Sequence, residues 1–402
     1  MIQKIINKVY QDHLYKNSLF LIANSFVMAL FGFVFWTINA RLFTAEQVGL
    51  ASTLISVLGL LVNMSLLGFN MALLKYLPQS NHRDEKISSC FILSGLVSLV
   101  VSLIFVLGVD LFSPKLSFLK TNRTYFVLFV LFILFGTLFT LIESIFIAYR
   151  KSKFVLVKNM IWSIFKVILP VFLVAWGAFG IFGSWMIAML IALIISLFFV
   201  NIDFKLRVNW ELLKKMFKFS SGNYFANLLA IAPGMVLPIM VTNLINPTQT
   251  AYFYIAWMVA SLLFVVPTAV SQSLLTESSH EELGNKVKKA YKIIFLLLGV
   301  GVLGVLLFGK LILWLFGTNY VSGAYLSLIL LSLSSIPFAL NVIFITLENI
   351  KHNVQKVVLM YGLIAGITFV LAYLLLSYGL VGISLSWLIG NLIVALVRRI
   401  LR

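Results

Sequence analysis

The chain has 402 residues, 62% of them apolar and only 10% charged, with a formal net charge of +18. Soluble domains carry roughly 25% charged residues, so a water-soluble globular fold is excluded. Nucleic-acid binding is also a poor fit, because the basic residues are spread over seven segments rather than gathered into one patch; they suit a surface that faces anionic headgroups and anionic cargo.

At the N-terminus, Ile2, Ile5, Ile6, Val9 and Tyr10 recur at helical spacing opposite Lys4 and Lys8. The stretch Met1–Lys16 is therefore expected to lie as an amphipathic helix along the cytoplasmic interface. Twelve apolar runs follow, at 17–40, 48–74, 87–109, 124–148, 154–176, 179–200, 220–245, 251–275, 290–314, 323–346, 355–376 and 380–400. Each is long enough to cross about 30 Å of hydrocarbon as a helix. The connectors between them are alternately basic and nearly neutral. Counted by connector, 24 Lys and Arg fall on one side and 5 on the other (Arg41, Lys115, Lys120, Arg123 and Lys310), with Lys166 left inside a span. Basic loops are retained in the cytoplasm, which predicts a multi-pass protein of the cytoplasmic membrane with both termini inside. The first run is too long for a cleavable signal peptide and no convincing cleavage site follows it.

The chain repeats itself about every 202 residues. The end of the first span, Asn39-Ala40-Arg41-Leu42-Phe43-Thr44-Ala45-Glu46-Gln47-Val48-Gly49, corresponds to Val241-Thr242-Asn243-Leu244-Ile245-Asn246-Pro247-Thr248-Gln249-Thr250-Ala251. Each half opens on an amphipathic basic segment, Met1–Lys16 or Trp210–Lys218, and six spans follow. The fold class predicted is an all-α polytopic membrane protein of twelve transmembrane helices in two pseudo-repeated six-helix bundles, 1–200 and 201–402. An even number of spans per half makes the repeat a parallel one.

Polar residues inside the spans are the candidate site. Gly49, Ser56, Asn63 and Asn70 recur every seven residues in span 2, and Tyr254, Ser261 and Thr268 in span 8, with Gln272 one turn beyond. Asn17, Asn24 and Asn39 share an arc of span 1; Asn223 and Asn227 lie one turn apart in span 7. These faces read either as amide-assisted helix packing or as the wall of a hydrated cavity between the bundles. Glu143 and Lys166 sit well inside spans 4 and 5, where a lone charge is costly and is expected to pair or to face water. They read as a structural ion pair, or as a cationic site for an anionic headgroup with Glu143 tuning it or exchanging a proton. Pro170 would kink span 5 beside Lys166, and Pro233, Pro238 and Pro267 lie in spans 7 and 8. Arg41, at the outer end of span 1, is an interfacial anchor or a cargo contact.

Other chemistry finds little support. Cys90 is the only cysteine, so neither an intramolecular disulfide nor a thiolate metal cluster is expected, and His13, His82, His280 and His352 all fall in predicted cytoplasmic segments, away from the bilayer core. Gly299-Val300-Gly301-Val302-Leu303-Gly304 matches GxGxxG but lies in an apolar span rather than between a strand and a helix, so it is not a nucleotide site. Gly362 and Gly366 form a GxxxG pair with the same packing meaning. Asn122-Arg123-Thr124 is a weak glycosylation sequon. No cofactor is expected.

Ala40-Arg41-Leu42-Phe43-Thr44-Ala45-Glu46-Gln47-Val48-Gly49 and the region from Leu307-Phe308-Gly309-Lys310 through Leu315-Phe316-Gly317-Thr318-Asn319-Tyr320 resemble the polysaccharide-flippase branch of the multidrug/oligosaccharidyl-lipid/polysaccharide exporter superfamily. The resemblance runs over nearly the whole chain. It implies paired six-helix bundles with alternating access and a polyprenyl-pyrophosphate-linked oligosaccharide as cargo, moved to the outer leaflet for cell-surface polysaccharide synthesis. It also implies a lipid bilayer and a glycan polymerase or glycosyltransferases as partners, and no nucleic acid. Related peptidoglycan-precursor flippases usually have fourteen spans rather than twelve. A multidrug or small-metabolite exporter of the same fold, ion-coupled, is the alternative; the drug-efflux branch often carries acidic residues in its first span, and here there is none between Asn17 and Ala40. A membrane glycan polymerase or glycosyltransferase fits less well, because the longest outer loop, 110–123, holds only Asp110 as an acid.

Overall fold

The computed structural model describes residues 13–78, 82–200, 207–277 and 283–398. Among them every regular element is helical, and twelve helices are long and apolar enough to cross a membrane, as expected from the hydropathy pattern. Most of the segment Met1–Lys16 lies outside the described residues, as do Lys205, His280, Arg399 and Arg402.

The chain divides into two compact units, one of Met1–Phe43 with Leu58–Ser221 and the other of Thr44–Val57 with Gly222–Arg402. The expected boundary at 200/201 differs from this in two respects. The basic amphipathic segment Trp210–Lys218, expected to open the second half, forms the first turns of one long helix, Trp210–Leu244. Those turns pack in the first unit: Asn209 donates to Glu85 Oε1 at 2.9 Å and its backbone N–H to Ser89 Oγ at 3.0 Å, while Phe219 meets Tyr76 edge-on at 5.5 Å under the Lys75 ammonium. The first half of span 2 packs in the second unit instead. Gly49 brings its backbone against the carbonyl of Pro247, where a Cβ would not fit, and a buried hydroxyl chain joins Thr53, Thr242 and Thr250.

Within the first unit, span 5 packs between spans 1 and 6, and span 4 against spans 3 and 6. In the second unit, span 12 packs against span 11 and both parts of span 10, and span 8 packs against spans 9 and 10. Pairing of the third span with the fourth, the fifth with the sixth and the fourth with the sixth recurs in both halves. The repeat is clearest at the last span of each. Gly177 (φ 55°) and Gly379 (φ 57°) each follow a single 3-10 turn, Val174–Trp176 or Leu376–Tyr378. Three residues on, Gly180 and Gly382 let the helix back onto the carbonyls of Leu173 and Leu375, leaving no room for a Cβ. Left-handed φ is accessible to glycine without steric cost, which explains the residue type in both copies.

Three spans depart from continuous helix. Span 2 is two helices, Ala45–Ser65 and Phe69–Tyr76, separated at Leu67 (φ 49°) and Gly68 (φ 76°). Span 10 divides into Thr318–Leu333 and Ser335–Ile350, with Pro337 in the first turn of the second piece. Span 5 ends as an α-helix at Ile168, and Pro170 sits in the 3-10 turn Leu169–Val171 beyond it. Pro170 therefore terminates the helix rather than kinking it beside Lys166, consistent with its missing N–H. Pro233, Pro238 and Pro267 lie inside uninterrupted helices.

Candidate functional site

Spans 4 and 5 form a hairpin whose turn, at Tyr149–Lys151, uses Arg150 at φ 55°. Residues equally distant from the turn lie at equal depth, which sets Glu143 opposite Lys158. Glu143 Oε2 accepts from Lys158 Nζ at 2.8 Å and from Asn159 Nδ2 at 3.3 Å. The lysine donates again to the carbonyl of Phe139 at 3.2 Å and stands 3.3 Å from the centroid of that ring. The Asn159 amide also donates to Asn24 Oδ1 at 2.9 Å, tying span 1 to the hairpin. Burial is unequal: the Lys158 side chain is 1% exposed and that of Glu143 33%.

The expected pairing of Glu143 with Lys166 is thus not what forms. Lys158, which charge counting assigns to a cytoplasmic connector, lies inside the helix Ser152–Ile168 and takes the carboxylate. Lys166 is two helical turns further along, about 12 Å by helical rise. It is 1% exposed, with its ammonium 4.4 Å from the Trp162 ring centroid and 4.8 Å from that of Trp185. The two indoles meet edge to face at 5.0 Å, Trp162 Nε1 donates to the carbonyl of Trp185 at 3.1 Å, and Phe35 closes on Trp185 at 5.2 Å. Among the described residues no carboxylate lies within ion-pair distance of Lys166. A desolvated cation over aromatic faces gains about 2 kcal/mol, less than the several kcal/mol it takes to strip an ammonium of water. The Lys166 ammonium is therefore a buried cation held against two indole faces, which offset only part of its lost hydration.

Spans 1 and 5 run parallel in constant register. Asn17 Oδ1 accepts from the Ser152 N–H at 3.2 Å, Asn24 meets Asn159, and Ser163 Oγ donates to Met28 Sδ at 3.6 Å, each pair 135 residues apart. The second half has no counterpart of this network. At the positions 202 residues on, Ala226, Ile345, Met360, Tyr361 and Thr368 replace Asn24, Glu143, Lys158, Asn159 and Lys166. Its buried carboxylate is Glu348, 3% exposed, which accepts from Lys351 at 3.0 Å and Asn353 at 3.2 Å at the end of span 10. Sequence reasoning missed Glu348; the spacing Glu348-x-x-Lys351 is the signal for it.

The other expected site residues are scattered. Gly49, Ser56 and Asn63 share the first helix of span 2, but Asn70 stands beyond the break on Phe69–Tyr76, so the seven-residue ladder is not one continuous face. Ser56 is buried and bonds back to Ser52, and Asn63 donates to the carbonyl of Gly59 at 2.9 Å. Arg41 is exposed at the end of span 1; Asn223 and Gln272 are exposed and Asn227 half-buried on spans 7 and 8. Among the described residues no group of His, Cys, Asp and Glu is arranged to hold a metal ion.

The sequence profile of a family described as "Polysaccharide biosynthesis protein" matches residues 14–232, more than half of the chain. No curated protein sequence matches it. Among solved structures, the inward-facing conformation of a multidrug resistance MATE family transporter of the MOP superfamily is similar with a TM-score of 0.74 at 15% identity, over 92% of each chain. The lipid II flippase MurJ in its inward closed conformation is similar with a TM-score of 0.76 at 14% identity, over 96% of this chain and 87% of that one. At these identities the likeness is one of fold.

Proposed function

The chain belongs to the polysaccharide biosynthesis protein family and is a multi-pass membrane protein with the fold of MOP-superfamily transporters, and from that premise we propose that it is a flippase for a polyprenyl-pyrophosphate-linked oligosaccharide. The observation that carries this reading is the family match over residues 14–232. The glycan of such a cargo is too polar to cross hydrocarbon without a protein surface to shield it, while its lipid tail can stay in the bilayer. Alternating access moves the headgroup from the cytoplasmic to the outer leaflet of the cytoplasmic membrane, with both termini of the protein inside, as the basic connectors favour. A glycan polymerase or glycosyltransferase consumes the product outside. An inside-negative potential also drives an anionic headgroup outward, by about 2.3 kcal/mol per charge per 100 mV.

Lys166 is the proposed contact for the pyrophosphate. Reaching it requires Trp162 or Trp185 to swing aside, after which the ammonium exchanges an indole face for phosphate oxygens. Glu143 has a different part, as the counter-charge of Lys158, and with Asn24 and Asn159 it holds the hairpin against span 1. Within the first unit Arg41, Asn63 and Asn70, and within the second Asn223, Asn227 and Gln272, are each proposed as hydrogen-bonding groups for sugar hydroxyls.

The test is reconstitution of the purified chain in liposomes carrying fluorescent lipid-linked oligosaccharide in the inner leaflet. Exposure of the label to an external quencher faster than in empty liposomes supports the proposal, and no difference overturns it. Drug resistance that depends on the protein, with no movement of the lipid-linked sugar, would favour export of drugs or small metabolites instead.

A further inference from the structure

The first unit contains a cavity of ≈ 430 Å³ at the basic ends of spans 3, 4 and 6, well away along the helices from Lys166. Its polar wall is Arg83, Lys151, Tyr149 and Asp84, and its apolar wall is Phe146 and Phe199. Arg83 lies 6.0 Å from the centroid of the Tyr149 ring. Burial raises the phenol above its ordinary pKa although the Arg83 guanidinium pulls the other way, so Tyr149 keeps its proton at neutral pH and remains a donor. Beside the cavity, the end of span 6 presents an apolar surface: Leu197 is 50% exposed, Phe198 80% and Phe199 40%.

These features select a ligand. Two cations and a phenol offer donors to an anion at the level where apolar helices reach the headgroups, and basic recesses between transmembrane helices on that side are suited to phospholipid headgroups. Asp84 in the same wall disfavours a free dianion. It favours a phosphate diester that carries a hydroxyl or amine for the carboxylate to accept from. The exposed run Leu197–Phe199 gives an acyl chain a place to lie, which a soluble anion would not use. We infer that the recess bounded by Arg83, Asp84, Tyr149 and Lys151 binds the headgroup of a resident phospholipid, its phosphate diester on Arg83 and Lys151 and its glycerol or ethanolamine donor on Asp84. This site is independent of the transported cargo and of the part proposed for Lys166.

The experiment is native mass spectrometry of the full-length protein from nanodiscs containing phosphatidylglycerol, phosphatidylethanolamine or phosphatidylcholine. The wild-type chain should retain the first two in preference to phosphatidylcholine, which has no donor for Asp84. The double variant Arg83→Gln/Lys151→Gln should lose affinity by about 30-fold, from about a fivefold change per cation near the surface. Asp84→Asn should narrow the preference for donor-bearing headgroups about tenfold, the scale of one hydrogen bond to a charged group. Lys120→Gln, in the connector between spans 3 and 4, matches the charge change of Lys151→Gln alone and should leave retention unchanged. If the double variant fails to fold, Lys151→Gln alone, at an exposed position, reads the same effect at smaller size. Equal retention by wild type and variants overturns the inference, as does equal retention of phosphatidylcholine. Displacement of the lipid by millimolar inorganic phosphate would make the recess a free-anion site and overturn it as well.

Discussion

Replacing Glu143 by Gln removes the counter-charge of Lys158 while keeping the shape of the side chain. Lys158 is then an ammonium 1% exposed with only neutral acceptors, the Gln amide oxygen and the Phe139 carbonyl. Breaking a buried pair from one side costs about 3–5 kcal/mol, and an intramembrane lysine on a helix costs a similar amount on insertion scales. The converse change, Lys158→Met, should be milder. Glu143 is one-third exposed and already takes a hydrogen bond from Asn159, so it can stay hydrated; about 1–2 kcal/mol is expected. The double variant Glu143→Gln/Lys158→Met should recover up to about half of the summed loss, giving a coupling of about 2–3 kcal/mol in the cycle. Reversible denaturation in detergent micelles, followed by tryptophan fluorescence, would measure all three. Equal losses below about 1 kcal/mol for the two single variants, with no coupling, would refute the unequal burial on which the prediction rests.

Lys166→Met keeps the volume of the side chain but removes the proposed phosphate contact, and proteoliposome assays should show transport falling tenfold or more while stability changes by only about 1 kcal/mol, because lost cation–π attraction and relieved desolvation oppose each other. Gly180→Ala and Gly382→Ala force a Cβ onto the carbonyls of Leu173 and Leu375; each should cost at least about 1–3 kcal/mol and reduce monodisperse yield on size-exclusion chromatography, whereas Gly183→Ala, with no neighbour within 4 Å of the added carbon, should be neutral or stabilising. Leu67→Gly relieves a left-handed residue and should raise stability by about 1 kcal/mol, with Gly68→Ala lowering it by a similar amount in the same melts. Asn24→Ala removes one link between span 1 and the hairpin, worth about 0.6–1.7 kcal/mol in a membrane helix bundle, and should speed amide exchange at the start of span 5.

Hydropathy made the twelve spans legible because each is a run of apolar residues set off by charge, and that contrast does not depend on how the helices pack. The break in span 2 was not legible for the same reason: Leu67–Gly68 interrupts the backbone without interrupting the apolar run, whereas in span 10 the signal is the cluster Ser332, Ser334, Ser335 and Pro337 at the joint. The pairing of Glu143 was readable but needed hairpin symmetry rather than distance from the nearest basic cluster. Glu143 and Lys158 are equidistant from the turn at Arg150–Lys151, whereas Lys166 lies eight residues deeper. Lys158 stands close enough to Arg150, Lys151 and Lys153 to read as one of a solvated group, and only the helix start at Ser152 reveals that it is two turns inside. The indole box around Lys166 joins Phe35, Trp162 and Trp185 from three spans, and no local spacing encodes such a meeting. The copies at Gly177, Gly180, Ser184 and Trp185 and at Gly379, Gly382, Ser386 and Trp387 are a sharper sign of duplication than the ends of spans 1 and 7.

The constant register between spans 1 and 5 has a mechanical consequence. Three polar links set at the same offset act like teeth of a rack, so moving either helix by one turn would disengage all of them at once and leave Asn159 facing an apolar position. The pair therefore slides as a block or not at all, and the first unit has little give along that seam. Compliance is left to the places where the helical ladder is already interrupted, Leu67–Gly68 in span 2 and Ser334 in span 10. Stiffness and yield are thus assigned to different residues, and a spectroscopic label at either break should report motion that one on Asn24 or Asn159 does not.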